Sequence, residues 1–223
     1  IEIFQRNYIK NALVDCKDDD IILLSDVDEF AAPELLQQVK DGLGEVHIFS
    51  TFERVAEREG LRGLSRNTRC FLRSLPYMGK RSSIREFLRY SPVVCEQTMY
   101  NFFINYRRDS NWCGLILAEY GQIVDMQKLR SRRNQFPLVY GGWHFSSLGG
   151  LKMIRNKINS TSDGMCNPIY GLPEEDQNQV IEEALEKGYI WWRDEYLKKR
   201  TLEDMDIPWI EWFAKKYPYM YHG

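Results

Sequence analysis

The stretch DDDIILLSDVDEFAAPE, Asp18–Glu34, decides how the rest of the chain is read. Ile21–Leu24 form a short continuous apolar run, which predicts a strand buried on both faces, as in a parallel sheet. Three acids, Asp26, Asp28 and Glu29, follow at its tip. Pro33 and Glu34 then supply a helix start, with Leu35, Leu36 and Val39 on its apolar face and Gly42 or Gly44 to end it. EVHIFSTF, residues 45–52, alternates apolar and polar positions and predicts a second strand. Strand, helix and strand at this spacing predict an α/β unit. Upstream, Phe4, Tyr8, Ile9, Ala12 and Leu13 share one face of a predicted helix that turns toward the core.

Bulk properties bound the function. The chain has 223 residues, 43% hydrophobic and 28% charged, which fits a globular protein with one sizeable core. A net charge of −2 argues against a nucleic-acid partner. No apolar run is long enough for a membrane segment, and residues 1–14 lack a leader pattern. Five cysteines without a Cys-x-x-Cys pair argue against a fully paired disulfide framework and against structural zinc.

The acids invite a chemical reading. In open α/β sheets ligands bind beyond the carboxyl ends of strands. Residues two apart in an extended segment point the same way, so Asp26 and Asp28 are expected to converge. Uncompensated, the two carboxylates repel; a divalent cation such as Mn²⁺ or Mg²⁺ relieves that cost. Three other readings compete. A solvated acidic loop needs no ligand. A haloacid-dehalogenase-type phosphatase also places Asp-x-Asp after an apolar strand, but here no late acidic motif follows a strand. A non-catalytic carbohydrate-binding module holding Ca²⁺ would want more oxygen ligands than this segment supplies.

Farther along, residues 54–90 form an irregular basic insertion, either a solvated face or the lining of an anionic site. TMYNFFINYRR and NWCGLILAEYGQIV read as aromatic and apolar strands, with Tyr100, Phe102, Tyr106 and Trp112 as candidate stacking surfaces for sugars. FPLVYGGWHFSSLGGLKMIRNKINS reads as a strand, a glycine-rich turn and a helix starting near Ser147. A final helix begins at Pro173, buries Val180, Ile181, Ala184 and Leu185, and ends at Gly188.

Taken in order, QRNYI (5–9), DDIILLSDVDEF (19–30), MYNFFINYR (99–107), GGWHFSSLGG (141–150), KINSTSD (157–163) and IPWIEWFAKKYPYMY (207–221) resemble glycosyltransferase family 17, the β-1,4-mannosyl-glycoprotein 4-β-N-acetylglucosaminyltransferases. The resemblance implies one GT-A type α/β domain over residues 1–223, a Rossmann-like mixed sheet flanked by helices. The family's N-terminal strands are expected before Ile1, and the insertion at 54–90 is longer than the family's connection. It further implies an inverting, metal-dependent transfer of a sugar, N-acetylglucosamine from UDP-GlcNAc, to a glycan or glycoprotein acceptor. Asp26 and Asp28 would hold Mn²⁺ or Mg²⁺ against the diphosphate, with His144 as a further metal or phosphate contact. Arg130 and Arg133, with the guanidinium fork that suits phosphate, are candidate diphosphate contacts. An inverting transfer needs a general base, for which Glu119, then Glu29 and Asp125, are the candidates.

Overall fold

The computed structural model describes residues 2–46, 83–161, 164–205 and 207–223. Most of the predicted strand at 45–52 and most of the basic insertion lie outside them. In chain order the described helices and strands open with α1 (Glu2–Tyr8), β1 (Ile21–Leu24), β2 (Glu29–Phe30), α2 (Pro33–Lys40) and α3 (Ile84–Leu88). Next come β3 (Val93–Asn101), β4 (Tyr106–Arg107), β5 (Trp112–Glu119), α4 (Met126–Ser131) and β6 (Leu138–Ser146). The last are α5 (Gly150–Ser160), α6 (Glu174–Lys187), β7 (Tyr189–Ile190), β8 (Glu195–Tyr196), β9 (Lys198–Lys199) and α7 (Ile210–Lys216). The fold is mixed α/β, with sheet flanked by helices. The chain divides into two compact units: Ile1–Gln97 with Trp112–Trp143, and Thr98–Asn111 with His144–Gly223. None of the described helices is long and apolar enough to cross a membrane.

In the first unit β5 lies between β1 and β3. Its register runs Ile21 opposite Glu119 to Leu24 opposite Ile116 on one side, and Val93 opposite Leu117 to Gln97 opposite Trp112 on the other. Both pairings are antiparallel. This corrects the expectation of a parallel strand buried on both faces: Leu24 is buried, but Leu23 on the opposite side of the pleat is exposed. A continuous apolar run fits a half-exposed strand as well as a central one, and only the pairing separates them. Leu24, Val94, Ile116, Ala118, Met126, Leu129 and Leu138 form the core of this unit. Its polar stitch is Gln97, fully buried, whose amide donates to the carbonyls of Phe30 (3.0 Å) and Trp143 (3.1 Å). That one side chain ties β3 to β2 and β6.

The N-terminal segment departs from expectation. α1 stops at Tyr8 and a 3-10 turn takes over at Ile9–Ala12. Phe4, Tyr8 and Ile9 are exposed rather than core-facing, and Leu13 alone of the predicted face packs against the core. The face that docks is polar: Asn7 donates to Asp125 Oδ2 (3.3 Å) and accepts from the Gln127 backbone (3.0 Å).

The second unit is built on α5 and α6. Ile154 and Ile158 from α5, Ile181 and Ala184 from α6, and Phe102, Ile169 and Ile190 form its buried core. α6 follows the sequence reading closely: acids Glu174–Asp176 occupy its first turn, and Gly188 closes it in the left-handed region at φ +61°. α5, by contrast, begins at Gly150 and not near Ser147, which has a φ of +55°.

Candidate functional site: the acidic turn

Residues 26–29 form a turn, closed by the Glu29 N–H donating to the Asp26 carbonyl at 3.1 Å. Asp26 and Asp28 are therefore not two positions of an extended segment, and the alternation that would have aimed them together does not apply. Val27 stands at the tip, 95% exposed. Asp28 is half-buried. Glu29 turns the other way and is buried.

Glu29 organises the turn. Its Oε1 accepts from Arg130 Nη2 (2.5 Å) and Trp112 Nε1 (2.7 Å). Its Oε2 accepts from Arg130 Nη1 (3.0 Å) and from the backbone N–H of Asp26 (3.0 Å). The Arg130 side chain, only 3% exposed, reaches this acid from the last turn of α4 and also binds Asp26 Oδ2 at 2.6 Å and the Gly114 carbonyl. Arg6 from α1 takes the other Asp26 oxygen at 3.2 Å and holds Gln127 at 3.0 Å. Burial pulls the Arg130 pKa down, but the hydrogen bonds and charges of Glu29 and Asp26 outweigh it, so the pKa lies above the ordinary arginine value. Arg133 sits over the Trp112 ring (5.1 Å) and donates to the Cys113 carbonyl (2.9 Å). Burial and the neighbouring Arg130 charge lower its pKa.

Glycines make this packing possible. A Cβ at Gly114 would collide with the Glu29 carboxylate and the Trp112 indole nitrogen. At Gly142 (φ +127°) a Cβ would collide with the Phe30 carbonyl just after the turn. The glycines of the YGGWH segment thus let β6 run close to β2 and α2, where Gly141 faces Leu35 and Ala32. Gly142 makes room for the Phe30–Ala31 backbone, and Gly141 for the Leu35 and Ala32 side chains.

The predicted site residues separate accordingly. Asp26, Glu29, Arg130 and Arg133 are brought together, with Asp28 on the same turn. Glu29, with four donors on its two oxygens, is not placed to take a proton from an acceptor hydroxyl. Asp125 is the N-cap of α4, accepting from the Lys128 N–H at 2.7 Å. Glu119 pairs with Ile21, at the opposite end of β1 from the acidic turn. Asp26 lies five residue steps after Ile21, roughly 16 Å if extended. His144 is buried on β6 and belongs to the second unit, whereas both aspartates belong to the first. Tyr100, Phe102 and Tyr106 are buried core side chains, and Trp112 is committed to Glu29, so none is a free stacking face. The residues that sequence reasoning missed are Arg6, Gln97 and Gly114. Arg6 stands in QRNYI and Gly114 in the apolar strand NWCGLIL, but neither stretch by itself points to the acidic turn.

A divalent cation finds little to relieve here. Asp26, Asp28 and Glu29 carry three negative charges, and Arg6, Arg130 and Arg133 bring three positive ones to the same place. Among the described residues no three of His, Cys, Asp and Glu form a group that could hold a metal ion. The donor set therefore does not fit a resident Mn²⁺ or Mg²⁺. Comparison with protein-family models, with curated proteins and with solved structures finds no match to this chain, so the resemblance to glycosyltransferase family 17 rests on the motifs quoted above.

Proposed function

We propose that the chain is a GT-A type glycosyltransferase that moves a sugar, N-acetylglucosamine from UDP-GlcNAc, to a glycan hydroxyl with inversion. The ordered motifs support the family. The supporting structural observation is the turn itself: clamping Glu29 inward leaves Asp28 half-buried on a fixed backbone beyond β1. We assign Asp28 to the reactants because it stands on this turn, beyond the carboxyl end of β1, where ligands of α/β sheets bind. In the transfer, the acceptor oxygen bonds to the anomeric carbon, the bond from that carbon to the diphosphate oxygen breaks, and the acceptor proton passes to the base. No step is routed through a metal.

The test is UDP release from UDP-GlcNAc with a panel of glycan acceptors, repeated with Asp28→Asn. A general base is worth about 10²–10⁴ in rate, so turnover should fall about 100-fold or more. Release that never exceeds a no-enzyme control across the panel would remove the transferase reading. Release that Asp28→Asn leaves intact would move the base elsewhere.

A further inference from the structure

We infer that Arg6 and Arg130 occupy the cation position of the Asp26–Asp28 turn, so that it takes no divalent ion while both are in place, and that Arg6 is the removable one. The two arginines are held very differently. The Arg130 guanidinium is 3% exposed and binds two carboxylates, Glu29 and Asp26, as well as the Gly114 carbonyl. Withdrawing it would strand Glu29, whose side chain is 0% exposed, as an uncompensated buried charge. Arg6 is 20% exposed, comes from the short α1, and meets Asp26 at 3.2 Å through an oxygen that Arg130 does not use. Asp26 itself is 42% exposed, so its side chain is partly hydrated. A doubly charged ion settling there would have to displace Arg6 or sit beside it, and like charges a few ångströms apart repel even in water.

This makes α1 more than a leading helix. Its polar face is fixed on α4 by Asn7, through Asp125 and the Gln127 backbone, so that Arg6 is delivered to the acidic turn in register. Movement of α1 away from α4 would expose Asp26 Oδ1 and convert a guanidinium-neutralised turn into an ion-accepting one. The inference concerns the turn on which the proposed transfer also rests. Ion binding is measured without a sugar nucleotide, however, so the two readings fail separately.

Mn²⁺ binding is followed by loss of the free-ion electron paramagnetic resonance signal, with the wild-type chain, Arg6→Gln, and Arg6→Gln combined with Asp26→Asn. The wild type should leave the signal unchanged. Arg6→Gln should gain Mn²⁺ affinity by about tenfold or more, since one positive charge beside the ion is gone. The double variant should lose that gain. Circular dichroism melting of each variant checks that α1 still docks. Wild-type binding that disappears in Asp26→Asn would overturn the inference, because the ion would then be displacing the arginines unaided. Equal, negligible binding by wild type and a well-folded Arg6→Gln would also overturn it, because Arg6 would then not be what excludes the ion.

Discussion

Each unit buries an arginine against a glutamate, and the two pairs are closed to different degrees. In the second unit Arg108 grips Glu195 side-on: Nε donates to both oxygens (3.2 and 3.0 Å) and Nη2 donates to Oε2 at 2.5 Å. Nη1 completes its contacts on the Met99 sulfur at 3.1 Å. One cation meets one anion, and only a fifth of the Glu195 side chain faces outward. In the first unit Arg130 meets two acids, and the second of them, Asp26, is nearly half in solvent beside Asp28. The first arrangement joins pieces of chain. The second holds a turn while leaving the Asp26 side chain 42% exposed.

The sharpest way to test this contrast is to remove each arginine. Arg130→Met leaves the buried Glu29 without its hydrogen-bonded cation, and should cost about 3–5 kcal/mol in urea unfolding. Arg108→Met leaves Glu195, 20% exposed, able to recover some hydration, and should cost about 1.5–3 kcal/mol. Only the Arg130 variant should also disturb UDP release. A larger loss from Arg108→Met would reverse the ranking of the two pairs.

Gly114→Ala probes the same clamp from the backbone side. The added methyl falls on the Glu29 carboxylate and the Trp112 indole nitrogen, so overpacking should cost about 1–3 kcal/mol and loosen the turn. Measured melting within error of the wild type would mean that the clamp yields more easily than its four hydrogen bonds suggest.

The smallest effect is chemical. Cys95 in the first unit is buried, and burial, reinforced by Cys113 and Glu29, pushes its thiol far above the ordinary range. Cys166 in the second unit is exposed. A thiol-specific disulfide reagent near neutral pH should therefore label Cys166 rapidly, and Cys95 and Cys113 only in denaturant. Peptide mapping reads the difference, and early labelling of Cys95 would mean that the sheet of the first unit opens readily.

Much of the local structure was readable from residues alone. α2 starts at Pro33, as its proline-acid start signal indicated, and α6 runs from an acidic first turn to Gly188 with Ile181 and Ala184 inward. Such features depend on neighbours within a few positions, where backbone sterics and helix periodicity act directly. The apolar run locates β1 but not its setting, because four apolar residues carry no information about their partner's direction.

The sequence by itself determined that three acids stand at the end of an apolar strand and that their charge demands an answer. Only the tertiary structure decided what answers it. Arg130 lies 104 residues from Asp26 along the chain, and no periodicity or motif links them. They meet because Asp125 starts α4 with a cap, α4 packs Met126 and Leu129 into the core, and the next position points its guanidinium at the turn. A charge's partner is a property of the fold, since Coulomb attraction is set by distance in space and low-dielectric burial, not by separation along the chain.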